Sequence, residues 1–476
     1  MLSIERRQPT FQSAAVRHER SSHNVASIVC RIGFRVVACL VVLVGLMGGG
    51  ASAATGNSIR KIVVFQAGIS AQMQQQVVAR SGSRMLSLLS LINGVAIELP
   101  TESAAQALVA LQADPTVAGV YDDLTNSGQD GGGDNVIVIT PADPPTQEFY
   151  PWGLDTIHVP DVHQEDPGLK GSGVTVSILD TGIDMNHPDL SKNIKGGYNA
   201  LAGQDSRNYQ DDNGHGTHMA GVIAARMNRL GVVGAAYQAQ IVAVKVLDQY
   251  GNGHLSDLIN GLGWISTNKI RVVNMSLGFS EDSPLLEQAI QRLYKAGVIM
   301  VASAGNGGTT CTQDGGGDDG GGDDGGGDDG GGDGIAQDGG GDDGGGDADC
   351  QTSQKAVHYP ARYPWVISVA ATNGDDKVTG YSQSGKVDVA APGGSQSGPR
   401  IFSTNKGGGY GWGSGTSQAA AHVTGALALV LQKNPKMSYE EAMTLLQETA
   451  RDLGEPVERQ GAGLIDVEAM IKALKR

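Results

Sequence analysis

From about residue 148 the chain alternates short, almost wholly apolar runs with longer amphipathic ones, and this alternation restricts the fold more than any other feature. The apolar runs VTVSILD (174–180), QIVAVKVL (240–247), RVVNMSL (271–277), VIMVASA (298–304) and WVISVAA (365–371) have strand length. They lack the polar residue at every second position that a sheet with one wet face would carry. Between or after them lie helical patterns: THMAGVIAARM, SDLINGLGWIST, PLLEQAIQRLYKAG, SQAAAHVTGALALVLQK and YEEAMTLLQETARDL. Strands buried on both faces and separated by helices predict an α/β fold, a parallel sheet sandwiched by helices. In such a sheet the working residues belong in loops at the carboxyl ends of strands.

The 476 residues leave room for more than this one domain. Upstream, RKIVVFQAG (60–68) is strand-like and AQMQQQVVAR (71–80) helix-like. The apolar LSLLSLINGVAIELP, helix-like AAQALVALQADP and strand-like VAGVYDD follow. Together they predict a small α+β unit ending near residue 123. A polar connector comes next, with DGGGD at 130–134 and PADPPTQ at 141–147; such segments are exposed and easily cut. At the start, six arginines and no lysine within residues 1–35 precede the apolar run 36–47 and GGGASAATG. That order describes a secretory signal peptide with cleavage after Ala53. Twelve apolar residues are too few for a spanning helix, which needs about 20, so stable membrane association is not expected.

Residues 311–350 contain thirteen aspartates among glycines, with Cys311 and Cys350 at the two ends. The formal charge of the chain is −16, and setting these aspartates aside leaves −3. The remainder is nearly neutral and gives no footprint for nucleic acid. Gly and Asp without apolar partners cannot build a core, so disorder is expected over 312–349. With Cys30 and Cys39 lost in the signal, the two remaining cysteines of an exported chain are expected to pair; two free thiols are the alternative.

Three polar residues stand where a parallel sheet would gather them. Asp180 ends VTVSILD, His215 lies in NGHGTHMAGVIAA, and Ser417 opens the longest apolar helical stretch, in GSGTSQAAAHVTGALALV. Singly, each has a plain reading: a turn or capping Asp, a structural or metal-binding His, an N-cap Ser. Together they offer an acid to orient an imidazole, an imidazole to take a proton, and a hydroxyl to attack.

DTGID, HGTHMAG and GTSQAAAHVTG, in the order Asp, His, Ser, resemble the subtilisin-like serine proteases, whose motif order this is. The resemblance runs from about 147 to 471. It implies a subtilisin-like peptidase domain over 147–476, no organic cofactor, polypeptide substrates and a monomer. Ser417 would attack a peptide carbonyl, His215 would act as base and then acid, and Asp180 would hold the ring. Asn306, in VASAGN, matches the family's oxyanion asparagine. Losing such a donor in a subtilisin costs about 10²–10³ in turnover. Ser276, Leu277 and Gly278, with Tyr250, Gly251, Asn252 and Gly253, match the two edges that hold the substrate as an added strand. His358 aligns with the floor of the pocket for the residue before the cleaved bond.

The same resemblance implies a structural calcium ion held by Asp189 and Asn228, by carbonyls of Arg226, Leu230 and Val232, and by Gln147 or Glu148. It implies a ferredoxin-like propeptide over 54–129, acting as an intramolecular inhibitor, and a linker over 130–146 with the processing site. Two departures stand out: Gln418 where the family usually has an oxidisable methionine, and Ala421 where proline is common. A secreted binding protein with lapsed catalysis is the alternative reading.

Overall fold

The computed structural model describes residues 58–126, 139–308 and 356–475. The expected signal segment 1–53, the insert 312–349, and Cys311 and Cys350 with their expected disulfide lie outside the described residues.

The small domain comprises β1 (Ser58–Phe65), α1 (Ala71–Arg80), β2 (Arg84–Leu89), β3 (Gly94–Pro100), α2 (Ala104–Ala113) and β4 (Val117–Asp122). Its sheet is antiparallel in the order β2-β3-β1-β4. The apolar stretch read as one unit is two strands. A turn of 3₁₀ helix at Ser90–Ile92 and Asn93 at φ 52 reverse the chain between them, a conformation asparagine tolerates better than most residues. One face of this sheet packs under α1 and α2 through Val63, Val77, Ile97 and Leu111. The other face, with Ile62, Leu89 and Ile92, joins the core of the large domain.

Two short strands then leave the small domain, β5 (Thr125–Asn126) and β6 (Thr140–Ala142). After the short helices α3 (Trp152–Thr156) and α4 (Val159–Glu165) comes the large domain. It contains β7 (Thr175–Asp180), β8 (Ile194–Asn199), α5 (His215–Ala224), β9 (Gln240–Lys245), β10 (Gly253–His254) and α6 (Leu255–Thr267). It continues with β11 (Val272–Met275), α7 (Pro284–Lys295), β12 (Ile299–Ser303), β13 (Ile367–Thr372) and β14 (Val389–Pro392). The hairpin β15 (Ile401–Asn405) and β16 (Gly409–Gly413), then α8 (Thr416–Lys433) and α9 (Tyr439–Thr449), follow. Seven strands form one parallel sheet in the order β14-β13-β12-β11-β7-β9-β8. This is the α/β sandwich predicted from the apolar runs.

Alternate residues of each strand serve opposite faces. Ile241, Ala243, Ile299 and Val301 pack beneath α5 and α8, whereas Val242, Val244, Met300 and Ala302 pack beneath α6 and α7. Helix α8 is buried on every side from Thr416 to Leu431, which is why its sequence shows no polar face. Among the described residues no helix is long and apolar enough to cross a membrane.

Leu427 is fully buried in α8. Replacing it with Ala should cost about 2–5 kcal/mol, the range for deleting a buried leucine side chain. Urea unfolding would measure this.

Candidate active site

The chain lays β8 and β9 on one side of β7 and then returns to lay β11 to β14 on the other. The strand order therefore reverses between β7 and β11, and a crevice opens beyond their carboxyl ends. Asp180 closes β7, Ser276 follows β11 directly, and Asn306 lies just past β12.

Asp180 is fully buried, and its oxygens lie 2.8 and 3.0 Å from His215 Nδ1. A carboxylate only accepts, so Nδ1 carries the proton and Nε2 is left as the basic edge of the neutral ring. Nε2 is buried and has no hydrogen-bond partner among the described residues. Burial pushes His215 towards the neutral form, but the charge and hydrogen bond of Asp180, with Asp211 beyond, offset this and hold its pKa above the ordinary value. Its neighbours behave oppositely. Burial, followed by the charge of His215, lowers His218 to about 3, and burial lowers His422 to about 4. His218 points instead at Gly411 O, 3.3 Å away. Of the two histidines in HGTH, only the first faces a carboxylate.

The loop before α5 is built around Asp211. Its carboxylate accepts from Gly214 N (2.8 Å), Thr181 Oγ1 (2.9 Å), Thr217 N (2.9 Å) and Thr217 Oγ1 (2.5 Å). Helix α5 begins at His215, with Gly214 as its N-cap. Gly216 serves close approach: a Cβ there would lie 2.1 Å from Gly182 O and 3.1 Å from Asp180 Cβ.

The second half of the site is tied to α8. Gly415 is the N-cap, so Ser417 lies inside the first turn rather than at the cap. Asn306 Oδ1 accepts from Thr416 N and Thr416 Oγ1, both at 2.9 Å, which turns the Nδ2 edge away from that anchor. Ser276 Oγ donates to Ser417 O at 3.1 Å and accepts from Asn274 Nδ2 at 2.9 Å. Thr424 Oγ1 donates to Asn274 Oδ1 at 2.9 Å. No hydrogen bond joins Ser417 to His215 among the described residues; such bonds often tighten only around a bound substrate. Gln418 is fully buried, and neither atom of its amide is hydrogen-bonded among the described residues.

Of the two expected substrate edges, one is already paired. Gly253 and His254 of β10 match Asn126 and Thr125 of β5 in antiparallel register. Tyr250 is largely exposed and Gly251 turns at φ 80. On the other edge Ser276 and Leu277 are buried, and Gly278 backs onto His358. Further along the chain β6 pairs with β16, Thr140 opposite Trp412 and Ala142 opposite Tyr410.

Asp189 and Glu148, two of the residues expected to hold a metal, both meet the segment 226–232. Asp189 is fully buried and accepts from Asn228 Nδ2 (2.9 Å), Tyr410 Oη (2.9 Å) and Val232 N (3.2 Å). Its backbone carbonyl accepts from Arg226 N at 3.0 Å. Glu148, not Gln147, reaches the loop, accepting from Asn228 N at 2.5 Å and Arg229 N at 2.7 Å; Leu230 N donates to Asn228 Oδ1 at 2.9 Å. Burial raises the Asp189 pKa, and the groups bonded to its carboxylate are neutral. Carboxylate, amide and carbonyl oxygens of this kind suit a hard cation, but here the Asp189 carboxylate is met by two N–H groups and one O–H, and Asn228 turns its Nδ2 towards it. No cluster of three or more His, Cys, Asp or Glu suited to a metal occurs among the described residues.

Asp211, Thr416 and Asn274 were not foreseen as parts of the site. For Asp211 a signal was present, a carboxylate four residues before a helix start; the other two act only through contacts distant in sequence.

A sequence model of the subtilase family matches residues 171–463. The chain is similar to subtilisin E of Bacillus subtilis (strain 168), at 33% identity over 425 residues, 88% of this chain and 92% of that protein. It is also similar to subtilisin BL and subtilisin Savinase of Lederbergia lenta, each at 38% identity over 323 residues, 68% of this chain and 98% of theirs.

The pairing predicts a titration that NMR can read in the Ser417→Ala protein. His215 should titrate above the ordinary histidine value of about 6.5. Asp180→Asn should move that titration to lower pH, because the imidazolium loses its counter-charge; an unmoved titration would contradict the pairing.

Proposed function

The chain belongs to the subtilase family and is a serine endopeptidase, and from that premise we propose that it is exported as a self-processing proenzyme. Ser417 attacks the peptide carbonyl while His215 Nε2 takes its proton, and His215 then returns a proton to the leaving amine. Asp180 fixes the ring tautomer and stabilises the imidazolium without itself being protonated. Asn306 Nδ2 and the Ser417 backbone N–H, at the positive end of α8, receive the oxyanion. The observation that carries this reading is the Asp180–His215 contact on the same sheet rim as Asn306 and the start of α8. The four residues are intact, and nothing favours lapsed catalysis.

The small domain acts as the inhibitor. Leu255 N donates to Leu124 O at 2.8 Å beside the β5–β10 pairing. Asp123 caps α6, accepting from Ser256 N and Ser256 Oγ, both at 2.8 Å. Arg60 bridges Asp123 (2.9 Å) and Asp257 (3.2 Å). The chain thus occupies the edge at β10 before residue 127 and the edge at β16 from residue 140. This favours a scissile bond between Asn126 and Ile139, a span that overlaps the linker 130–146 but begins before it. A bound calcium ion would be held by Asp189, Glu148, Asn228 and carbonyls of Arg226, Leu230 and Val232. It would neutralise the loop's buried charge and take no part in the reaction.

Mass spectrometry of the mature protein should therefore find a new N-terminus between 127 and 139. The Ser417→Ala protein should remain uncut under the same conditions. Efficient processing of that variant would overturn self-maturation.

A further inference from the structure

One buried cation beside the site has no part in the catalytic reading. Lys245 is the one charged residue of the strand run QIVAVKVL, and it ends β9 with only 5% of its side chain exposed. Ala243 packs beneath α5, and alternation puts Lys245 on the same face, towards the helix that begins with His215. A buried ammonium is costly unless its N–H groups find acceptors. Lys245 Nζ has three N–H groups and meets three acceptors: Thr181 O at 2.6 Å, Leu247 O at 2.8 Å and Asp212 Oδ1 at 2.8 Å.

These acceptors lie on the segments that meet at the Asp180–His215 pair. Lys245 stands opposite Asp180 in the β7–β9 register, and Val246 N and Leu247 N donate to Asp180 O. Thr181 follows Asp180 and donates its N–H to Asp180 Oδ1 at 2.7 Å. Its Oγ1 accepts from Gly216 N at 3.0 Å and donates to Asp211 Oδ1 at 2.9 Å. Asp212 sits between Asp211 and Asn213, whose Oδ1 accepts from His215 N at 3.1 Å. Lys406 Nζ donates to the Asp212 backbone carbonyl at 2.6 Å.

Asp211 already ties Thr181 to α5 through side chains. Lys245 adds a tie through the Thr181 main chain, which sets the path of the backbone leaving Asp180. The same ammonium holds Asp212, so one group spans the strand end that carries the carboxylate and the loop that carries the imidazole. It is also the lysine that meets a carboxylate on a rim crowded by Asp180, Asp211 and Asp212. We infer that Lys245 is a positioning residue for the reaction, acting through Thr181 and Asp212 to hold the Asp180 carboxylate against His215 Nδ1. The inference rests on the endopeptidase reading of the site.

Two readouts test it. In the Ser417→Ala protein the proton on His215 Nδ1 gives a downfield NMR resonance that reports the Asp180 contact, and adding Lys245→Met should move it upfield. In active enzyme, quantified with a fluorophosphonate titrant, Lys245→Met should lower kcat by roughly 10–100-fold, the scale of loss when a reacting group is slightly misplaced. KM should stay within about twofold, because no substrate contact is removed. A role in stability alone would reduce the amount of titratable enzyme and move neither readout. Asp212→Ala, at a half-exposed side chain, removes one acceptor and should shift the resonance the same way, which keeps the test open if Lys245→Met does not fold. An unmoved resonance in folded Lys245→Met, or in Asp212→Ala where the first variant does not fold, would overturn the inference alone. So would a raised KM with unchanged kcat. Failure of the wild type to react with the titrant and to cleave any peptide would remove the endopeptidase reading and this inference with it.

Discussion

A buried carboxylate facing a buried imidazole, Asp180 against His215, is the interaction around which the rest of the site is arranged. Taking both groups out of water is costly, and removing one would leave the other without its partner. The surrounding structure secures the contact from three directions. Two N–H groups of the β9–loop junction, Val246 and Leu247, donate to the Asp180 carbonyl. Asp211 gathers the loop before α5, and Gly216 lets that helix approach the end of β7. Because His215 has a raised pKa, its pairing adds stability at pH below the unfolded value and loses that contribution as pH rises through the folded pKa. The neutral ring needed as a base thus prevails where this contribution has gone.

The small domain and the large one share a core and a charge network. Ile62, Leu89 and Ile92 pack with Leu258 and Leu262 of α6. Burial raises the Asp257 pKa, and Arg60 of the small domain works against that rise. An acid in the first turn of α6 is thereby compensated from the other domain, alongside the capping of the same helix by Asp123. Backbone pairing at β10 supplies register, and the ion pairs supply orientation.

The central strands β7, β9, β11, β12 and β13 were legible in the sequence because burial on both faces makes them nearly all apolar. The edge strand β8 (IKGGYN) carries no such signal, since an edge needs less burial and its register shifts between Ile194 and Gly196, whereas β14 (VAAP) is fully buried but too short to stand out. The glycine-rich hairpin β15–β16 was missed for a related reason: its register depends on pairing with β6 and packing on α5, not on its own pattern. Asp180, His215, Asn306 and Ser417 could be named from short motifs. Thr416 as the anchor of Asn306, and Gln383 as the neighbour of His358, could not, because each partner lies far away in sequence.

Described residues on either side of the Gly/Asp-rich insert bond to one short loop, Gly308 N donating to Tyr381 O at 2.9 Å and Val357 N to Ser384 O at 3.1 Å. With both flanks held by the loop 381–384, added length between them costs little closure entropy. The most direct measurement of the whole account is to treat the processed enzyme with a fluorophosphonate and map the adduct by peptide mass spectrometry. The prediction is a single adduct on Ser417 that forms far more slowly in the His215→Ala and Asn306→Ala proteins. An adduct on another residue, or an undiminished rate in His215→Ala, would contradict it.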